Sequence, residues 1–232
     1  MPKALLAVVT CHGHGGFAEA VRSTWMPLVP EYRADIKLFF GRGGKRKPLN
    51  DEVFLDCGDG YFNLPEKVKE ILRYARNNGY EFVFKIDDDT IVKPKEFFSY
   101  PFEQWDYVGG GAVSDGSLGV QRTPWGFCYM LSKKSMDIVL GSDLPVGEHK
   151  SNDEHWVSNV LHNNGVYLHV DSHYHFRTGE ANPASAYKER PLPEGVSVIC
   201  VHIHQEHSRP ETESIKEFYR LAEEHLTHGQ DQ

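Results

Sequence analysis

The sequence has 232 residues, of which 40% are hydrophobic and 25% are charged, and its formal net charge is -8. This length and composition are typical of one globular domain and exclude a chain that is mainly disordered. The acidic balance argues against general nucleic-acid binding, which needs Lys and Arg concentrated on one face.

No stretch approaches the roughly 18 uninterrupted apolar residues that mark a membrane-spanning helix. The apolar run Ala4 to Val9 is too short and too β-branched for a secretory signal peptide. The four cysteines are widely spaced, which favours free thiols in a reducing compartment. We therefore expect a cytoplasmic protein.

The first part of the chain, residues 1–94, alternates strand and helix patterns. Ala4 to Val9 is a near-continuous apolar run, typical of a central strand that is buried on both faces. Helical patterns cover Phe17 to Trp25 and Leu64 to Asn78, and strand patterns cover Ile36 to Phe40, Val53 to Leu55 and Phe82 to Ile86. This alternation predicts an α/β fold with a mostly parallel sheet and a nucleotide-binding first half.

The second part, residues 95–232, has shorter patterns in mixed order. Strands are expected at Phe127 to Leu131, Val166 to Val170 and Val196 to His204. Helices are expected at Lys95 to Tyr100, after Ser132, after Ser151 and over Ile215 to Leu226. We expect both parts to form one domain.

Three successive carboxylates, Asp87, Asp88 and Asp89, directly follow the strand pattern Phe82 to Ile86. In open α/β sheets, ligands bind at the carboxyl ends of strands. Adjacent carboxylates repel one another unless a cation or hydrogen-bond donors compensate their charge. Carboxylate oxygens suit Mg²⁺ or Mn²⁺, which can bridge to a substrate diphosphate. The triplet therefore predicts a divalent cation site, and a solvated acidic turn is the alternative.

Two later stretches also carry candidate residues. His202 and His204 alternate along the last predicted strand and so share one face. Ser151 and Glu154 match a helix capping box, so a structural role for Glu154 competes with a chemical one. Asp153 is not part of that capping box.

Seven stretches then follow one another in an order that is typical of one enzyme family. They are Ala20 to Trp25, Tyr61 to Lys67, Phe84 to Thr90, Tyr107 to Gly110, Tyr129 to Ser132, Asp153 to Ser158 and Val201-His202. They resemble the motifs A-x-R-x-T-W, Y-x-N-L-T-x-K, K-x-D-D-D, Y-V-G-G, G-Y-V-L-S, E-D-V-Y-V-G and F-H of the β-1,3-glycosyltransferases, the family of Fringe and the core β-1,3-galactosyltransferases. The resemblance implies the GT-A fold: one domain with a Rossmann-like, mostly parallel sheet flanked by helices and a mixed C-terminal part.

The resemblance also implies an activity. It points to transfer of a sugar from a UDP-sugar to a hydroxyl acceptor, with inversion at the anomeric carbon and with Mn²⁺ or Mg²⁺ as cofactor. Residues 95–232 would then form the acceptor and catalytic half. By position, the metal ligands are Asp87 and Asp89 with His202 or His204, and the donor-binding residues are Asp87, Asp88, Arg22, Thr10 and Gly110.

Asp153 and Glu154 fall where this family keeps its catalytic base. Alignment on Trp156 and Val157 favours Glu154, whereas residue type and the competing cap favour Asp153. Both residues stay candidates.

The acceptor is the most open part of the interpretation. A glycan is expected, and a hydroxymethylated base of viral DNA is the alternative, for which the basic loop Arg42 to Lys47 is the supporting feature. Trp125 to Cys128 is bulkier than the small-residue run of the family, which affects the acceptor or sugar pocket. The membrane anchor and disulfides of eukaryotic relatives are not visible here, which favours a bacterial or viral protein. Rival functions are a non-catalytic sugar- or nucleotide-binding module and a metal-dependent phosphohydrolase or nucleotidyltransferase.

Overall fold

The structure is a computed structural model that describes residues 3–32, 34–43, 45–110, 113–115, 120–146, 152–171, 176–177, 198–200 and 220. For residues 113–115, 120–122, 176–177 and 198–200 it describes the backbone alone. His202, His204 and, apart from Arg220, the predicted helix 215–226 lie outside the described residues. In the part of the chain that is described, no helix is long and apolar enough to cross a membrane.

The described strands are β1 (Ala4–Val9), β2 (Ala34–Phe40), β3 (Glu52–Phe54), β4 (Phe82–Asp87), β5 (Thr90–Val92), β6 (Tyr107–Gly109), β7 (Val113–Asp115), β8 (Val120–Thr123), β9 (Cys128–Ser132), β10 (His169–Val170), β11 (Phe176–Arg177) and β12 (Val198–Cys200). The described α-helices are α1 (Gly15–Ser23), α2 (Leu64–Asn77), α3 (Pro94–Ser99), α4 (Lys133–Leu140) and α5 (Asp153–Asn163). Most predicted elements therefore exist, with ends shifted by one to three residues.

A seven-stranded sheet has the order β10-β6-β9-β4-β1-β2-β3. Strands β4, β1, β2 and β3 run parallel to one another, and β9 runs antiparallel to both β4 and β6. The prediction of an α/β domain with a mostly parallel sheet is confirmed. The antiparallel β9 matters for function, because its N-terminal end lies beside the carboxyl end of β4: Ile86 pairs with Cys128.

Side chains alternate between the two faces of the central strands, as expected for strands buried on both sides. On one face, Leu6, Val8 and Phe84 pack in the same apolar cluster as Val21 and Trp25 of the α1 region. On the other face, the cluster is formed by residues of the sheet and of α2, α4 and α5: Leu5, Ala7, Val83, Ile71, Met136 and Trp156. Successive residues at the end of β4 therefore point toward different helices.

A smaller sheet brings the last described strand to the acidic end of β4. Strand β12 is antiparallel to β5 and parallel to β11. Cys200 at the end of β12 pairs with Thr90, the residue that follows Asp89.

One predicted helix start is corrected. Helix α5 begins at Asp153 and has Asn152 at its N-cap position. A capping box would need Ser151 at the N-cap and Glu154 as the third helical residue, so that prediction is wrong: Glu154 is the second helical residue. Ser151 itself lies outside the described residues. The predicted cap at Ser132 is confirmed, since its Oγ accepts a hydrogen bond from the Ser135 amide at 3.3 Å.

Gly41, directly after β2, provides a test of how tightly the carboxyl ends of the strands are packed. A Cβ there would lie 2.6 Å from the Gly58 carbonyl oxygen and 2.8 Å from the Asp59 Cα. Because these are backbone atoms, we expect Gly41→Ala to lower the free energy of unfolding by about 1–3 kcal/mol, the usual cost of overpacking. Urea denaturation of the variant and the wild-type protein measures this loss of stability.

The matched control is Gly15→Ala in the first turn of α1, where an added Cβ meets nothing within 4 Å. That change is expected to be neutral or slightly stabilising, because Ala favours helix over Gly. Equal losses of stability in the two variants would contradict the tight approach at Gly41.

Candidate active site

The carboxyl ends of β1 and β4 lie side by side, since Val9 pairs with Asp87 in the parallel register. The loop after β1 and the acidic turn after β4 therefore meet at one edge of the sheet. This is the edge where open α/β sheets bind their ligands.

Asp88 faces the α1 side of the sheet. Its Oδ2 accepts a hydrogen bond from Thr10 Oγ1 at 2.7 Å and lies 3.1 Å from His14 Nδ1. The hydrogen bond to Asp88 raises the pKa of His14 to about 10, although burial opposes the shift. The contacts of Asp88 with Thr10 and His14 thus hold the acidic turn against the loop after β1.

Asp87 faces the other side of the sheet, two residues after Lys85 on the same strand face. Lys85 Nζ lies 2.6 Å from Asp87 Oδ1, and it donates a hydrogen bond to the Gly126 carbonyl oxygen at 2.6 Å. The Lys85 side chain is only 3% exposed, whereas 34% of Asp87 remains accessible. Burial, with the charges of Asp89 and Asp153, raises the pKa of Asp87 to about 7 against the effect of Lys85.

The structure separates the two candidate bases. Asp153 is 2% exposed; its Oδ2 accepts a hydrogen bond from the Tyr129 hydroxyl at 2.7 Å and lies 3.7 Å from Lys85 Nζ. Glu154, by contrast, keeps 23% of its side chain exposed. It lies over Gly126, where an added Cβ would be 3.0 Å from the Glu154 carboxylate. Burial and the charge of Asp153 raise the pKa of Glu154 to about 7.

Of the predicted donor-binding residues, Thr10, Asp87 and Asp88 come together at this edge. Arg22 is engaged near β3 instead: its Nε lies 2.6 Å from Asp51 Oδ2 and its Nη2 lies 2.5 Å from Glu52 Oε1. Gly110 accepts a hydrogen bond from the Trp125 amide at 3.1 Å, which places it beside the segment that precedes β9.

Sequence reasoning gave no role to the buried lysines. Asp59 Oδ1 accepts hydrogen bonds from the Gly41 amide at 2.6 Å and from Lys67 Nζ at 2.8 Å. Lys67 also donates to the Thr10 carbonyl oxygen at 2.7 Å, so this pair links the ends of β1 and β2. The detectable signal for Lys85 was its position between Phe84 and Ile86, because a lysine inside a buried strand needs an acidic partner.

Two exposed aromatic side chains lie near the acidic groups. Tyr61 and Phe62 are 65% and 67% exposed, and their ring centroids are 6.0 Å apart. Partial burial and the charges of Glu154, Asp153 and Asp87 raise the pKa of Tyr61. Tyr61 therefore lies within electrostatic range of these acidic groups, and Phe62 packs beside it.

The carboxylates of Asp87 and Asp89 have the hard oxygen donors that Mg²⁺ and Mn²⁺ prefer. Within the described ranges, no group of three His, Cys, Asp or Glu side chains is placed to hold a metal ion. The other two predicted ligands, His202 and His204, fall outside those ranges.

Comparisons with known proteins concern a family segment and the fold. The galactosyltransferase family model matches residues 18–105. One solved structure, a glycosyltransferase involved in the glycosylation of the major capsid of PBCV-1, superposes with a TM-score of 0.54 at 11% sequence identity, and the match covers 95% of this chain and 100% of that one. This likeness shows the fold. No curated protein sequence matches. The resemblance drawn from the sequence motifs is confirmed at the level of the family model and the fold.

The contact between His14 and Asp88 predicts an unusual pH dependence. The pKa of His14 is raised from 6.5 to about 10 in the folded protein. The contact with Asp88 therefore contributes fully to the free energy of unfolding below about pH 6.5, and this contribution is lost as pH rises through about 10. We expect NMR titration of the His14 ring to show a midpoint far above that of an ordinary histidine.

The matched variant is Asp88→Asn, which removes the carboxylate and keeps the shape of the side chain. In this variant the His14 midpoint should fall toward the ordinary histidine range of about 6.5. Identical midpoints in the two proteins would refute the ion pair.

Proposed function

We propose that this chain, which carries a galactosyltransferase-family segment and a glycosyltransferase fold, transfers a sugar from a UDP-sugar to a hydroxyl acceptor with inversion. The observation that carries the proposal is the convergence of Asp87 with the start of α5. The shared contact with Lys85 brings an accessible carboxylate at the end of β4 close to the helix that bears Glu154.

In this proposal Glu154 is the catalytic base and Asp153 is its structural neighbour. Glu154 is partly exposed, and its raised pKa makes it a stronger base than an ordinary carboxylate. Asp153 is enclosed by Tyr129 and Lys85, so an acceptor hydroxyl has little access to it. Glu154 would take the proton from the acceptor hydroxyl as that oxygen attacks the anomeric carbon. One such displacement inverts the configuration.

Asp87 and Asp89 would hold a divalent cation together with the donor, and His202 or His204 would complete the ligand set. The fit rests on the hard oxygen donors that meet at the end of β4, where burial and the nearby charges of Asp89 and Asp153 raise the pKa of Asp87 and a cation would offset both effects. When bound, the cation neutralises the charge that grows on the departing diphosphate. Asp88 acts indirectly, because its contacts with Thr10 and His14 hold the turn in place.

The acceptor is proposed to be a glycan. The exposed rings of Tyr61 and Phe62 offer an apolar surface on which the C–H face of a sugar can pack, beside the acidic groups. The basic loop favours a nucleic-acid acceptor less, because Arg42 pairs with Asp56 at 2.5 Å and Arg46 pairs with Glu52 at 2.5 Å. The donor sugar is to be found by screening UDP-sugars with Mn²⁺ and by mass spectrometry of the products.

The base assignment is tested by Glu154→Gln and Asp153→Asn. Glu154→Gln should lower kcat by about 10²–10⁴-fold and leave UDP-sugar binding intact, since it removes proton transfer alone. Asp153→Asn should keep turnover but lower the free energy of unfolding by about 1–3 kcal/mol, because it weakens a buried hydrogen-bonded pair. Wild-type activity should also rise with pH through about 7, as Glu154 and Asp87, whose pKa values are both raised to about 7, lose their protons. The reverse pattern of losses would assign the base to Asp153.

The metal assignment is tested by Asp89→Ala and by excess chelator. Both should abolish transfer, whereas circular dichroism and the unfolding midpoint of the variant should stay close to wild type, because Asp89 lies in a turn after the strand. Full transfer under either condition would reject the cation site.

The same assays separate the rival functions. A non-catalytic binding module would bind the UDP-sugar without releasing UDP. A nucleotidyltransferase or phosphohydrolase would consume a nucleoside triphosphate.

A further inference from the structure

We infer that Lys85 is a positioning residue that holds the donor-side carboxylate and the base-bearing helix in a fixed relation. The inference rests on the proposed function, because it assigns Lys85 to the same reaction.

One ammonium group contacts three separate elements. Lys85 Nζ lies 2.6 Å from Asp87 Oδ1 at the end of β4, 2.6 Å from the Gly126 carbonyl oxygen before β9, and 3.7 Å from Asp153 Oδ2 at the start of α5. Asp87 lies on the same strand as Lys85. The other two partners, Gly126 and Asp153, are 41 or more residues away in the chain. Lys85 therefore connects the acidic strand end with the two segments that surround Glu154.

The contact with Gly126 reaches Glu154 directly. The Glu154 carboxylate packs closely against Gly126, since a Cβ added at Gly126 would lie 3.0 Å from Glu154 Cδ and Oε2. Lys85 Nζ donates a hydrogen bond to the carbonyl oxygen of the same glycine. Lys85 thus contacts both segments that flank Glu154, the backbone at Gly126 and the helix start at Asp153, which Tyr129 also holds.

Charge balance alone is the competing explanation. A buried carboxylate such as Asp153 needs a cation, and removing only one member of a buried pair is strongly destabilising. A contact with Asp153 alone, however, would be enough to balance the buried charge. Lys85 Nζ instead lies closer to Asp87 and to the Gly126 carbonyl oxygen than to Asp153. These shorter contacts fix geometry, and a misplacement of about 1 Å in an active site can cost about 100-fold in rate.

The test compares Asp153→Asn with the double variant Lys85→Met/Asp153→Asn. The double variant removes the two enclosed charges together, so Asp153 is not left buried without a cation as it would be in Lys85→Met alone. Asp87 loses its contact with Lys85 in both variants that lack the lysine, but 34% of its side chain is accessible to water. The assay is UDP release from the active UDP-sugar with water as acceptor, together with thermal unfolding. Lys134→Met is the control, because its contact with Asp106 at 2.7 Å is largely exposed and lies away from β4's carboxyl end.

We expect the double variant to fold and to lose about 100-fold in kcat relative to Asp153→Asn, with KM for the donor changed much less. Lys134→Met should match wild type. Equal kcat in Asp153→Asn and the double variant would overturn the inference and leave the proposed function standing. Absence of both UDP release and sugar transfer by the wild-type protein, with every UDP-sugar and every glycan acceptor screened, would overturn both.

Discussion

Repulsion among carboxylates is the constraint on which this site depends. Asp87, Asp88 and Asp89 end β4, and α5 adds Asp153 and Glu154. In a partly buried place such charges destabilise one another, and each needs a donor, a cation or access to water. Much of the local structure can be understood as the set of contacts that meets this need.

The pleat of β4 divides the charges between the two faces of the sheet. Asp88 points toward α1, where Thr10 and His14 compensate it, while Asp87 points toward α5, where Lys85 does so. The same alternation leaves Asp87 accessible and Asp88 enclosed. Adjacent residues of one motif therefore have different functions: one holds the loop, and the other is available to a ligand.

A similar division applies at the start of α5. Asp153 is enclosed by Tyr129 and Lys85, so its charge is used within the protein. Glu154 turns toward the open side above Gly126 and keeps a raised pKa. A partly desolvated carboxylate with a raised pKa is well suited to accept a proton from a hydroxyl group. An accessible carboxylate at the end of β4 and a partly exposed carboxylate on α5 are thus presented at the same edge of the sheet, as the proposed single-displacement sugar transfer would require.

The sequence by itself determined the α/β class, the order of strands and helices, the family resemblance and the acidic strand end, because these depend on local periodicity and on short motifs. It left Asp153 and Glu154 as equal candidates, with a capping role for Glu154 as the rival to a chemical one. Only the tertiary structure decided which acid is enclosed, because Lys85, Gly126 and Tyr129 meet Asp153 and Glu154 across 24 or more residues of chain. Such contacts depend on how β9 and α5 pack against β4, which no local pattern encodes.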